Sequence, residues 1–190
     1  MSDDPSPQSL AGRLLIAMPS ISEGQLAHAV VFVCVHTPDG AMGIQLNRPI
    51  REPSFETLLK QLDIAPVPPA RHIRLMSGGP VDHSRGFVLH SADWTAETSM
   101  RVDAAHALTA SLDVLKAIAG GGGPERGFLA LGYTGWGAGQ LDTELREGAW
   151  LEAPADEALM FGDDHESKWR RALGKLRIDP GRLQPTVGHA

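Results

Sequence analysis

Cysteine is nearly absent from this chain, because Cys34 is the only one among 190 residues. A single thiol excludes an intrachain disulfide and removes the main sign of a secreted protein from an oxidising compartment. A chain of this length buries roughly 70% of the surface that its unfolded form exposes, so it folds without cross-links. We therefore expect one cytoplasmic domain, residues 10–190, preceded by a disordered tail of residues 1–9.

Long apolar runs are also missing. The longest, residues 29–35, is far shorter than the roughly 20 residues that are needed to span a bilayer. The first residues, MSDDPSPQS, are polar and acidic, whereas a secretory signal needs a basic start and an apolar stretch. We expect no membrane partner.

Basic residues are outnumbered, since 17 Lys and Arg against 23 Asp and Glu give a net charge of −6. A nucleic-acid-binding protein gains affinity from a basic face, so this balance argues against a nucleic-acid partner. One basic cluster places Lys168, Arg171 and Lys175 on the same face of a predicted helix. We interpret it as an ordinary solvated face, which makes direct DNA binding the weakest of three functional hypotheses.

The apolar pattern that is present predicts short strands and isolated helices. Residues 29–36 are rich in β-branched side chains, and the turn at residues 37–40 (TPDG) predicts a hairpin with the strand that follows. A second hairpin is expected around Gly78 and Gly79. Strands are predicted over residues 10–18, 29–36, 41–47, 72–76, 86–90, 128–132, 150–151 and 159–161, and helices over residues 55–62, 111–119, 140–146 and 164–176.

Two boundaries stay open at this point. Residues 103–119 fit either one long helix or a strand near Ala107 followed by a helix capped by Ser111, and the second reading is preferred. The last helix is capped by either Asp163 or Asp164. Hairpins mixed with about four helices, without regular βαβ alternation, indicate the α+β class.

The glycine-rich segment of residues 132–140 is the most informative candidate site. The pattern predicts a strand that leads into a loop and a helix that begins at the loop, a geometry in which backbone N–H groups can hold an anion. Gln140 stands where a dinucleotide fingerprint needs its third glycine, and no Gly-Lys-Ser/Thr ends the loop. Trp136 is either a plug over the core or a stacking platform, and Glu144 is either a solvated helical residue or a general base.

Cys34 and His36 are two residues apart on one predicted strand, so we expect them on the same sheet face. Cys34 lies in an apolar strand, which favours a structural thiol over a nucleophile. No HExxH, paired-cysteine or G-x-S-x-G motif is present, so no catalytic residue, metal ligand or cofactor is assigned. The candidate ligand-binding residues, which collect at strand ends and turns, are His36, Asn47, Gly78, Gly79, Gly135, Trp136, Gln140 and Glu144.

Ordered motifs along nearly the whole chain resemble the YqgE/AlgH family of bacterial proteins. They are residues 17–20 (AMPS), His36 with 39–43 (DGAMG), 47–49 (NRP), 78–81 (GGPV), 85–90 (RGFVLH), Ser111 with 113–115 (DVL), 132–133 (GY), 135–141 (GWGAGQL), Glu144, 150–151 (WL) and 188–190 (GHA). The resemblance implies a bent, partly split, mostly antiparallel sheet that forms a barrel-like core. It implies a link to transcriptional regulation but supplies no catalytic residue. One departure is Gln45, where an apolar strand residue is expected.

Three functional hypotheses follow. The first is a non-enzymatic regulatory or adaptor protein that acts through a small molecule or a protein partner, as a monomer or weak homo-oligomer. The second is an anion binder or enzyme that uses the loop at residues 132–140. The third is direct DNA binding. The missing catalytic set favours the first and leaves the second open.

Overall fold

A ten-stranded sheet and five α-helices make up the computed structural model, which describes residues 8–69 and 71–183. The strands are β1 (Arg13–Ala17), β2 (Val30–Thr37), β3 (Gly40–Gln45), β4 (Pro49–Ile50), β5 (Arg74–Ser77), β6 (Val81–Ser91), β7 (Met100–Arg101), β8 (His106–Thr109), β9 (Gly127–Trp136) and β10 (Trp150–Pro154). The helices are α1 (Phe55–Gln61), α2 (Leu112–Ala119), α3 (Gln140–Arg146), α4 (Glu157–Phe161) and α5 (Lys168–Lys175), followed by a 3-10 turn at Pro180–Arg182.

The sheet is mostly antiparallel and curls into a half-barrel, so the predicted α+β class is confirmed. Its strand order is β10-β1-β2-β3-β9-β6-β8-β7. β9 is the central strand, because it pairs with β6 along most of its length, with β3 near its end and with β5, in parallel, near its start. The sheet therefore splits where β3 and β5 meet beside β9.

The first predicted hairpin, β2 with β3, is confirmed. The second is wrong, because β5 and β6 do not pair with each other and β9 lies between them. Gly78 and Gly79 pass against the β9 backbone instead of turning back. A Cβ atom at Gly78 would lie 2.3 Å from the carbonyl oxygen of Gly132, and one at Gly79 would lie 2.2 Å from the backbone of Tyr133.

Residues 103–119 form a strand, β8, and then a helix, α2, with Ser111 at the N-cap, as preferred from the sequence. The strand predicted over residues 159–161 is wrong, because these residues belong to α4. The carboxylate of Asp156 caps α4 by accepting a hydrogen bond from the Leu159 amide. A short apolar run does not distinguish a buried strand from a buried helical turn.

The last helix begins later than expected. α5 starts at Lys168 with Ser167 at its N-cap, and Asp164 instead accepts hydrogen bonds from the amide and hydroxyl of Ser167. The expected solvated basic face also needs correction, because Lys168 is only 1% exposed and donates to the carbonyl of Leu46. Arg171 and Lys175 are exposed.

Three apolar clusters stabilise this arrangement. The largest lies between the half-barrel and helices α4 and α5, the second lies under α3, and the third lies under α1 and α2. No helix in the described part of the chain has the length and apolar character to cross a membrane.

Candidate functional site

Glu144 on α3 holds two tryptophan rings in place. One of its oxygens accepts hydrogen bonds from the indole N–H of Trp136 at 2.7 Å and of Trp150 at 2.9 Å. Its other oxygen accepts from Gln140 at 3.1 Å, and the two indole rings meet edge to face with centroids 5.8 Å apart. A carboxylate that bridges two indoles is engaged in packing α3 on the sheet.

The segment expected to be a glycine-rich loop is mostly strand. β9 continues to Trp136, so only residues 137–139 connect it to α3. Trp136 is 7% exposed and packs in the cluster under α3, which fits a plug over the core. The amide of Gly137, which an anion would need, already donates to the side chain of Gln140 at 2.9 Å.

His36 lies on a different face from the one expected. A β-bulge between Val33 and Val35 interrupts the alternation of β2, and Cys34 packs in the largest apolar cluster. His36 instead accepts a hydrogen bond from the Leu10 amide at its Nδ1 and approaches Asp142 of α3 with its Nε2. Burial, together with the charge of Asp103, raises the pKa of the Cys34 thiol, which therefore stays neutral.

Asn47 belongs to a separate polar group near the end of β3. Its carboxamide bonds the backbone of Val30 and of His28. The unexpected Gln45 is 2% exposed, and its amide donates to Asn47 and to the carbonyl of Gln25. Gln45 is thus a satisfied buried polar residue that ties the loop before β2 to the sheet.

The eight predicted site residues therefore do not line one pocket. His36, Trp136, Gln140 and Glu144 gather around α3, whereas Asn47, Gly78 and Gly79 lie where β3 and β5 meet; Gly135 faces solvent opposite Met42. Their role in ligand binding stays a prediction.

A cleft lies elsewhere, beside α4. It has a volume of about 710 Å³, within the 300–1,000 Å³ that small-molecule sites usually occupy. We call it the α4 cleft. The residues that line it are Arg71, His72, Ile73, Arg74, Glu125, Arg126, Gly127, Glu157, Ala158, Phe161 and Gly162.

Behind the α4 cleft, His106 joins α4 to the turn before β8. Its side chain is 4% exposed, its Nδ1 lies 2.9 Å from the Asp103 carboxylate, and its Nε2 lies 2.6 Å from Glu157. Glu157 also accepts a hydrogen bond from Arg126 at 3.2 Å, so a chain of polar side chains in contact runs from Asp103 to the cleft.

Sequence reasoning missed this group. Asp103 and His106 are close in the chain, but Glu157 is 51 residues from His106, and no local motif links them. The signal that existed was the Asp-x-x-His spacing at the strand predicted near Ala107. Among the described residues, no group of three or more His, Cys, Asp or Glu side chains is arranged to hold a metal ion.

Two basic side chains near the start of α5, Lys168 and His165, have lowered pKa values. Burial, with the charges of Arg74 and Arg171, lowers the pKa of Lys168 to about 8. Burial, with the charges of Lys168 and Arg74, lowers the pKa of His165 to about 4. The Nδ1 atom of His165 is buried without a hydrogen-bond partner among the described residues. The charge of Arg74, which lines the α4 cleft, acts on both groups. Lys168 and His165 are not among the residues that line the cleft.

Comparison with known proteins gives consistent matches. A family model described as AlgH-like matches residues 14–181. A UPF0301 protein of Methylocella silvestris is 47% identical over 189 residues, which cover 95% of this chain and 92% of that protein. Another, from Gluconobacter oxydans, is 48% identical over 183 residues and covers 95% and 98%.

Solved structures agree with these matches. The solution structure of the AlgH protein from Pseudomonas aeruginosa matches with a TM-score of 0.76 and 40% identity, covering all of both chains. A crystal structure of a protein from Corynebacterium diphtheriae has a TM-score of 0.66 at 20% identity and covers 98% of this chain and 91% of that one. This second likeness extends to the fold alone.

Proposed function

The chain belongs to the AlgH-like family, and we propose that it is a non-enzymatic regulatory protein that responds to a small molecule bound in the α4 cleft. The observation that carries this proposal is the cleft itself, because its volume suits a metabolite and its wall is built from α4 and the start of β9.

The side chains of the α4 cleft favour binding over catalysis. The lining residues that the structure describes include no Ser, Thr, Cys, Lys or Tyr, so no hydroxyl, thiol or amine nucleophile faces the cleft. Glu157 already bonds His106 and Arg126. Each of its two carboxylate oxygens contacts one of these partners.

Occupation of the cleft has a structural route to the surface. α4 is linked to the sheet through Glu157 and His106, and to α5 through the ion pair of Asp156 with Lys175. A ligand that fixes the position of α4 would, through these contacts, also affect the position of α5. We propose that a partner protein recognises the exposed face of α5.

The test is a thermal-shift screen of the purified protein against neutral, cationic and anionic metabolites. A ligand at about 100 times its Kd adds roughly 2.7 kcal/mol of stability, which raises the midpoint by about 5–10 °C. Ala158→Trp fills the cleft from an exposed position, and Ala138→Trp adds the same ring to the connection between β9 and α3.

A shift that is lost in Ala158→Trp and kept in Ala138→Trp supports the proposal. The reverse pattern supports a site at residues 137–139 instead. A screen without any shift that depends on Ala158 removes the proposal.

An apolar groove between α1 and α2 favours a second function, as an adaptor for a protein partner. It has a volume of about 210 Å³, and its lining includes Leu58, Leu62, Leu112 and Leu115. Leu112 is 44% exposed at this groove, so its side chain is accessible to a partner. A partner that co-purifies with the wild type and is lost with Leu112→Glu, but not with the surface change Glu147→Ala, would support this function.

A further inference from the structure

We infer that the ligand of the α4 cleft carries an acidic group, a carboxylate or a phosphate, and that Arg126 is the residue that binds it. This inference rests on the proposed function, because it names the chemistry of the molecule that the α4 cleft takes.

Arginine is concentrated around the cleft although the chain is acidic overall. Three arginines line the α4 cleft, and Arg101 lines a neighbouring hollow of about 420 Å³. The two cavities share Glu125, Arg126 and Glu157, so Arg126 stands on the wall between them. A guanidinium in this place can be reached by a ligand from either side.

Three of the four arginines act as backbone clamps. Arg71 donates to the carbonyls of Gly122 and Glu125. Arg74 donates to the carbonyls of Phe161 and Gly162 at the end of α4. Arg101 donates to the carbonyls of Asp103 and Ala104. In each of them, guanidinium N–H groups donate to backbone carbonyls and so stabilise a segment of the chain.

Arg126 differs, because its guanidinium donates to one side chain, Glu157, among the described residues. Its side chain is 51% exposed, and a guanidinium has five N–H donors, so most remain available. Its backbone is anchored to Ser91, whose amide bonds the Arg126 carbonyl and whose hydroxyl accepts from the Arg126 amide. A fixed backbone and a guanidinium with available N–H donors suit bidentate binding of a planar or tetrahedral acid group.

Glu157 lowers the affinity of Arg126 for an acidic ligand. Its carboxylate competes with a ligand for Arg126, but its second partner, His106, can keep it when Arg126 turns to the ligand. An acidic ligand would thus exchange one carboxylate for another at Arg126. A neutral or cationic ligand has no such partner to displace.

The experiment measures binding of succinate, citrate, inorganic phosphate and adenosine monophosphate to the full chain by calorimetry, with dimethyl succinate as the uncharged match for succinate. Arg126→Gln should weaken binding at least tenfold, because two charge-assisted hydrogen bonds are lost. Arg85→Gln changes the net charge equally at a site away from the cleft and should leave the affinity unchanged.

A third variant, Glu157→Gln, removes the competing charge and should tighten binding about fivefold, the effect of one unit charge at about 4 Å in water. Carboxylate binding without phosphate binding, or the reverse, identifies which acid group the cleft takes. The inference is overturned if none of the acids binds, or if binding survives Arg126→Gln. If metabolites that depend on Ala158 bind but are neutral or cationic, this inference fails while the proposed function stands.

Discussion

Replacing Glu144 with alanine is the sharpest test of how the α3 end of the molecule is built. The substitution removes the acceptor of two indole N–H groups, those of Trp136 and Trp150, which are 7% and 2% exposed. A buried donor left without a partner costs about 1–3 kcal/mol, so the loss of the acceptor for two donors should lower the free energy of unfolding by about 2–6 kcal/mol. The midpoint of thermal unfolding should then drop by about 4–24 °C.

Two further variants separate the hydrogen bonds from other effects. Glu144→Gln keeps an oxygen that accepts from the indoles but loses the charge, so about 1 kcal/mol is expected. Glu147→Ala removes an exposed carboxylate at the end of the same helix and should change stability by less than about 0.5 kcal/mol. Urea unfolding followed by circular dichroism measures all three.

A double-mutant cycle completes this test. In a Trp136→Phe background one indole N–H is already gone, so the added cost of Glu144→Ala should shrink by about 1–2 kcal/mol. The reasoning is refuted if Glu144→Ala is as mild as Glu147→Ala, because Glu144 would then be an ordinary solvated residue.

Two other predictions concern the backbone and pH. Gly79→Ala should destabilise the protein by about 3 kcal/mol or more, because φ is +153° and the new Cβ would lie 2.2 Å from the Tyr133 backbone. Gly174→Ala, at a helical position with no atom near the new Cβ, should be neutral or stabilising. The urea midpoints of the two variants check this prediction. The lowered pKa of His165 means that the folded state resists protonation, so stability should be lost as the pH falls from 6.5 towards 4. His165→Asn should lose less stability over that interval in urea unfolding at pH 7 and pH 5, and equal losses would show that another group is responsible.

Local patterns predicted the elements whose neighbours are also their partners. The β2–β3 hairpin follows from β-branched strands around a Thr-Pro-Asp-Gly turn, and α2 follows from Ser111 and the apolar spacing after it. Long-range pairing was not predictable in the same way. β9 enters between β5 and β6 from about 50 residues away, and nothing near Gly78 indicates that its missing Cβ makes room for that strand.

The candidate site depended even more on distant contacts. The bulge in β2 turns His36 away from the face of Cys34, although strict alternation predicts that they share one. α4 and the contact of His106 with Glu157 arise from tertiary packing, because Leu159 and Met160 are buried there whichever local structure they adopt. Within residues 132–140, Gly132 passes close to the carbonyl groups of Gly79 and Val81, while the role of the segment in ligand binding stays a prediction.

Whether the α4 cleft is the binding site can be read from backbone amide chemical shifts while the isotope-labelled protein is titrated with a metabolite from the thermal-shift screen. We expect the changes to concentrate at Gly127, Ala158 and Gly162, which line the α4 cleft, and to disappear in Ala158→Trp. Changes confined to Gly137, Ala138 and Gly139, without changes at the amides of the cleft, would contradict binding in the α4 cleft. They would show that the ligand binds at the glycine-rich segment instead.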